Sequence, residues 1–232
     1  MSRASWEQVL PQSLDDHAIQ NSVKVLFDQI QLHVENFYFN PQESIKIPPE
    51  AHERLSELQT PHLPGPLVDC MKSSRSVLPV IKHCLAHQVV QGMMAGQQPR
   101  LLPLGFTYAC GDRGFSDSTG RRAIGTQTES AAFLARNIEM DVDAFTDAFA
   151  KWRNESQDVA GAKSHLEGLL KNAASVASTL FSQPSMYQFS WIYTPQYNRS
   201  VLIVPTFRKV TDEQGKALEQ PQELMRPVAE RI

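Results

Sequence analysis

Ile19, Val23, Leu26, Ile30, His33 and Phe37 are separated by steps of four, three, four, three and four residues. Steps of that size return each side chain to the same stripe of an α-helix, so this segment is committed to a helix with one apolar face. A chain that carries such a stripe must cover it with further elements, and a helical core is the simplest cover. One member of the seam is ionisable. His33 opens the run His33-Val34-Glu35-Asn36-Phe37-Tyr38, whose Glu35 and Asn36 point away from the stripe, so the run does not converge on one pocket. The imidazole therefore has two readings. It either fixes register through a hydrogen bond to a neighbouring helix, or it serves as an acid/base or ligand contact with a shifted pKa.

Bulk properties narrow the partners. The 232 residues are 41% hydrophobic and 20% charged with a formal net charge of −3, a globular balance with enough chain for a substantial core. No basic stripe is present, and the longest cationic run is the Arg121-Arg122 pair, which argues against nucleic acid. The apolar run Val201 to Val204 is far shorter than the ~20 residues a membrane span needs. Met1 to Asp16 lacks the apolar core of a secretory signal, and the cysteines are three (Cys70, Cys84, Cys110) without a C-x-x-C spacing. Reduced thiols in an intracellular, cytoplasmic or nuclear protein are expected. The glycosylation patterns at Asn154 and Asn198 then read as chance matches.

Along the chain, residues 1–13 read as a leader and residues 14–232 as a single domain. Ser13 is positioned to cap the first helix, Asp15 and Asp16 fall in its first turn, and Pro41 stops it near Asn40. Pro48-Pro49-Glu50 starts a short helix to about residue 59, and the proline-rich segment 60–66 is an extended connector. A short helix over Leu67–Lys72 and a longer one from about Val77 to Met94 follow, the latter burying Leu78, Ile81, Leu85 and Val89. Five glycines between Gly105 and Gly125 and the loss of periodicity mark a flexible loop at about 105–127. Helices are expected near 128–137, from Asp141 (as a cap) through Val142, Phe145, Phe149 and Trp152, and over about 160–182, where Pro184 ends the last. Aromatic and β-branched residues in 187–193 and 199–210, around Pro195-Gln196-Tyr197-Asn198, form a β-hairpin signature. The expected fold is mainly α: a bundle of five to six helices with a small C-terminal β-hairpin at about 187–210 packed on it.

The chemistry-bearing patterns are sparse. His83 and His87 have the i, i+4 spacing of a two-histidine half site, but Cys84, Leu85 and Ala86 between them supply no carboxylate and Cys84 points about 100° away. The alternative is a partly buried His83 beside Lys82 and a solvent-facing His87. Gly114-Phe115-Ser116-Asp117-Ser118 breaks the nucleophile-elbow pattern at its last position, and a helix-interior Cys84 is more simply a small core residue. Gly161-Ala162-Lys163-Ser164 lacks the adjacent Gly-Lys and the preceding strand of a phosphate loop. No catalytic residue, metal site or cofactor is assigned. The Phe145, Phe149, Trp152 stripe reads as core or, if exposed, as a docking face.

His33 to Tyr38 at the end of a long helix resembles a set of uncharacterised ascomycete fungal proteins. Leu63-Pro64-Gly65-Pro66-Leu67-Val68, Ser74-Arg75 and Ile81-Lys82-His83 are similar to their second helical segment, and Leu101-Leu102-Pro103, Trp152-Arg153, Phe189-Ser190-Trp191, Val204-Pro205 and Lys209 to Gly215 to later landmarks. The stretch 106–127 departs from that set in length. The resemblance implies an intracellular helical core with a C-terminal β element and transfers no activity. The function expected is a non-enzymatic helical interaction or regulatory module with a protein partner. The alternative is a cofactor-independent enzyme or small-molecule-binding accessory protein of a fungal secondary-metabolite pathway. Its cavity would be lined by His33, Phe37, Tyr38, Arg75 and His83, and the shape of the largest cavity separates the two.

Overall fold

The computed structural model describes residues 14–41, 46–73, 76–94, 100–102, 127–192 and 199–232. Helix α1 (Asp16–Phe37) carries the seam as its spacing requires: Ile19, Val23, Leu26, Ile30 and His33 are buried and Phe37 is half-buried. The cap is Asp15, whose Oδ1 accepts from the Ala18 N–H at 2.7 Å, and Asp16 alone provides the first-turn carboxylate. Ser13, expected in that role, lies outside the described residues, as does the rest of the 1–13 leader. The helix ends at Phe37, before Pro41, because Tyr38 turns extended and bridges Arg153. Phe39 N–H then donates to Trp152 O at 2.9 Å and Asn154 N–H to Phe37 O at 2.8 Å, so backbone elsewhere in the chain replaces the next helical turn.

Helices α2 (Pro49–Glu57) and α3 (Leu67–Ser73) flank α4 (Leu78–Met93), which is buried on every side from Pro79 to Ala86 and packs on α1, on the last helix and on a strand. The segment expected to hold two helices is one, α5 (Gln127–Ala148), followed by a 3-10 turn over Ala150–Trp152. Asp141 is not a cap. It sits inside α5 with its carboxylate held by the Arg100 guanidinium, so it does not compete for backbone N–H groups and the helix runs through. Phe145, Phe149 and Trp152 are core. Helix α6 (Val159–Ser182) is capped by Asp158, which accepts from the Ala160 and Gly161 N–H groups. The Gly-rich stretch expected to be a flexible loop lies outside the described residues up to 126.

The C-terminal part corrects the expected fold class. The chain is neither all-α nor a mainly helical bundle with one hairpin; six helices are combined with two antiparallel sheets totalling five strands among the described residues, a mixed α/β fold. Strands β1 (Tyr187–Ser190), β2 (Ser200–Val204), β3 (Thr206–Thr211), β4 (Ala217–Met225) and β5 (Val228–Arg231) are ordered β1-β3-β4 and β2-β5. The two halves of the expected hairpin do not simply pair. Tyr187 aligns with Lys209 and Ser190 with Thr206, whereas β2 aligns with the chain end, Ser200 with Arg231 and Val204 with Val228. Pro205 stands between β2 and β3. It has no N–H to donate to a ladder, and the strand changes sheets there. The tight hairpin is β3–β4, turning over Asp212–Lys216 with Gly215 at φ +78° and the Asp212 carboxylate accepting from the Gln214 and Lys216 N–H groups.

Two buried lysines pin these sheets to α1. Lys82 Nζ donates to Glu35 at 2.7 Å and to Glu230 of β5 at 3.0 Å, and Lys209 Nζ donates to Asp16 at 3.0 Å and Glu213 at 2.6 Å. The buried apolar residues of helices and strands form one continuous cluster. Among the described residues no helix is long and apolar enough to cross a membrane.

Candidate functional site

The described residues among the five expected to share a cavity fall into separate groups. His33, Phe37 and Tyr38 lie together, with ring centroids of His33 5.1 Å from Phe37 and 5.9 Å from Tyr38. His83 is on α4 against β2, and Arg75 lies outside the described residues. Each imidazole has its own surroundings.

His33 faces His165 of α6, a residue that carries no sequence signal beyond its type. Their Nδ1 atoms are 3.1 Å apart and the rings stack at 5.2 Å, so one Nδ1–H donates to the other ring in complementary tautomers. Burial, and then the neighbouring His165, pull the His33 pKa down to about 3. Burial also pushes the Tyr38 phenol up, against the opposing field of Arg153. His33 is thus a buried, neutral contact between α1 and α6 through Nδ1, while its Nε2 has no hydrogen-bond partner among the described residues.

His83 is the middle of a relay. A carbonyl only accepts, so the 2.5 Å contact with Leu202 O places the proton on Nδ1, and Nε2 accepts from the Thr60 hydroxyl at 2.9 Å. Thr60 in turn accepts the His62 N–H at 3.1 Å. The proline-rich connector is thereby clamped onto α4 and β2. Around it gather His62, His87 and Trp191: His62 stacks on the indole at 5.8 Å, and His83 and His87 lie 5.1 Å and 5.4 Å from it. Burial lowers His83 to about 4, opposed by the Leu202 carbonyl; burial and the flanking His83 and His62 lower His87 to about 4. The spacing of His83 and His87 put both on α4, but His83 has spent both nitrogens on hydrogen bonds. Among the described residues no three or more His, Cys, Asp or Glu side chains are grouped to hold a metal.

His87 is also part of the wall of a polar cleft of about 410 Å³ between the end of α2, the outer face of α4, and α5. Its depth comes from a close backbone approach. Leu101 N–H donates to Gly92 O at 2.9 Å, and a Cβ on Gly92 would lie 2.9 Å from the Leu101 side chain, so glycine there lets residues 100–102 lie on α4. That contact delivers Arg100, whose Nη1 donates to Asp141 Oδ1 at 2.6 Å while its carbonyl accepts from Asn137 at 2.9 Å. Asp141 is 3% exposed; burial raises its pKa, and Arg100 and the Gln88 amide oppose the shift. Gln91 and Glu57 stand exposed at the mouth. Cys84 lies at the base with its thiol pushed up by burial and by Cys70, so a thiolate nucleophile is not available there.

An apolar cavity of about 380 Å³, lined by Met93, Phe181 and Met186 among others, lies between α4, α6 and β1. Neither cavity includes His33 or His83 in its lining. Compared with protein-family models, with curated proteins and with solved structures, the chain matches none.

Proposed function

We propose that this chain is a non-enzymatic intracellular binding module that holds a small polar molecule in the cleft between α2, α4 and α5. The observation that carries this reading is the ion pair of buried Asp141 with half-exposed Arg100, with the Gln88 amide beside it, at a cleft of about 410 Å³. Ordered polar groups in a recess of that size suit a ligand of modest dimensions, fixed by few directed contacts. The non-enzymatic part is supported by the state of the reactive side chains: His33 and His83 are packed and hydrogen-bonded, and Cys84 is sealed as a thiol.

The test is a ¹H–¹⁵N titration of the full chain with a set of neutral amide and polyol fragments at millimolar concentration. Shifts confined to the side-chain amides of Gln88 and Gln91 and to the backbone of 100–102 are expected. They should vanish in Gln91→Trp, which fills the mouth from an exposed position. No fragment shifting these signals, or shifts that persist in Gln91→Trp, would refute the cleft as the site. One observation favours the interaction module instead: Ile192, two residues past the end of edge strand β1, is 87% exposed. A partner recovered stoichiometrically on the wild-type chain but not on Ile192→Ser would select that reading.

A further inference from the structure

The imidazoles around Trp191 divide into one that is used and two that are not. Both nitrogens of His83 are hydrogen-bonded, whereas the ring nitrogens of His62 and His87 have no hydrogen-bond partner among the described residues. The two come from different elements, the connector 60–66 and α4, and His62 is exposed while His87 is half-exposed, so solvent reaches both. Their ring centroids are 5.6 Å apart with the planes at 55°. Two imidazoles that share an ion through nitrogens about 2.0 Å from it have centroids about 4.4 Å apart at a right angle and about 6.3 Å apart when collinear. The observed separation falls within that span. The His83–His87 separation of 6.1 Å does too, but His83 has no free lone pair to offer.

We propose that His62 and His87 form a two-imidazole site for a single copper(II) ion, with water in the remaining positions. Copper(II) stands highest among divalent first-row ions for nitrogen ligands, and a two-ligand site open to water asks for the ion that gains most per imidazole. The clamp on the connector helps. The His62 N–H to Thr60 bond and the Thr60 to His83 bond fix the loop that carries His62 on the helix that carries His87, so little order is lost on binding. This inference is independent of the cleft reading; His87 is the only residue they share in the argument.

Trp191 is a built-in reporter, its ring 5.8 Å from His62 and 5.4 Å from His87. Copper sulfate titrated into the full-length chain in a weakly coordinating buffer should quench tryptophan emission with an endpoint at one equivalent. The copper paramagnetic resonance spectrum should carry coupling to two ring nitrogens. His62→Ala, a change at an exposed position that leaves the core intact, should weaken copper binding about tenfold or more through loss of chelation. His87→Ala should do the same, with circular dichroism reporting its fold, and His17→Ala on the exposed face of α1 should change nothing. Saturable quenching that survives unchanged in His62→Ala would overturn the assignment, as would its absence at micromolar copper in the wild-type chain.

Discussion

Lowering the pH should destabilise this protein through one residue whose share can be isolated. His33 is 0% exposed and its folded pKa is about 3, against 6.5 for a free imidazole. A depressed histidine pKa means that the unfolded chain takes up a proton in a range where the folded chain does not. Stability is therefore unaffected by His33 above the unfolded value, falls as the pH drops below it, and levels off below the folded value. Between about pH 7 and about pH 5 the unfolded state gains most of one proton, which costs about 2 kcal/mol, and the full shift amounts to about 5 kcal/mol, reached only well below pH 3. Other groups titrate in the same window, so the quantity to read is a difference between proteins. His33→Leu keeps the seam apolar and leaves His165, which is half-exposed, to find water. Urea unfolding of both proteins at the two pH values should show the wild type losing about 2 kcal/mol more than the variant. A double difference below about 0.5 kcal/mol would refute the burial argument, because it would mean that the folded chain protonates His33 as readily as the unfolded one.

Gly92→Ala should cost about 1–2 kcal/mol by urea unfolding, since its Cβ meets Leu101 at 2.9 Å, whereas Gly168→Ala on α6, with nothing within 4 Å, should stabilise by up to about 1 kcal/mol. Equal signs for the two would contradict the close-approach reading. Asp158→Ala removes the side chain that accepts from Ala160 and Gly161 and should lower stability by about 1 kcal/mol, with faster amide exchange confined to the first turn of α6. Lys82→Met keeps the packed stem and loses the bridge between Glu35 and Glu230, two partly exposed carboxylates that water can then solvate. The expected cost is about 1 kcal/mol, with faster exchange at β5; a loss several times larger would mean that the carboxylates are not so readily rehydrated.

Much of the helical framework is readable without coordinates because it is local. The stripe from Ile19 to Phe37, the prolines at the starts of α2 and α4, and the apolar positions of α6 each depend on neighbours within a turn or two. Asp141 shows where such reading stops. An aspartate before an apolar stripe looks like a cap, yet here a guanidinium from residue 100 takes the carboxylate and the helix continues through it. The strands show the same limit. Their composition marks 187–210 as β, but the remaining strands of the two sheets, β4 and β5, are written largely in polar residues such as Glu219, Gln222 and Glu230 that carry little strand signal.

The candidate sites follow the same division. His33 stands out in sequence because it interrupts an apolar seam, and its burial was to be expected from that seam alone. His165, His62 and the Arg100–Asp141 pair leave no such trace, because each acquires its role from a partner far away in the chain: 132 residues for His33 and His165, 41 for Arg100 and Asp141. Helix periodicity, caps and the turn at Gly215 belong to the amino-acid order, since their energies are settled between residues a few positions apart. Strand partners, the tautomer of His83 and the cleft beside Gly92 belong to the packed fold, where long-range contacts choose among pairings that local preference leaves equal.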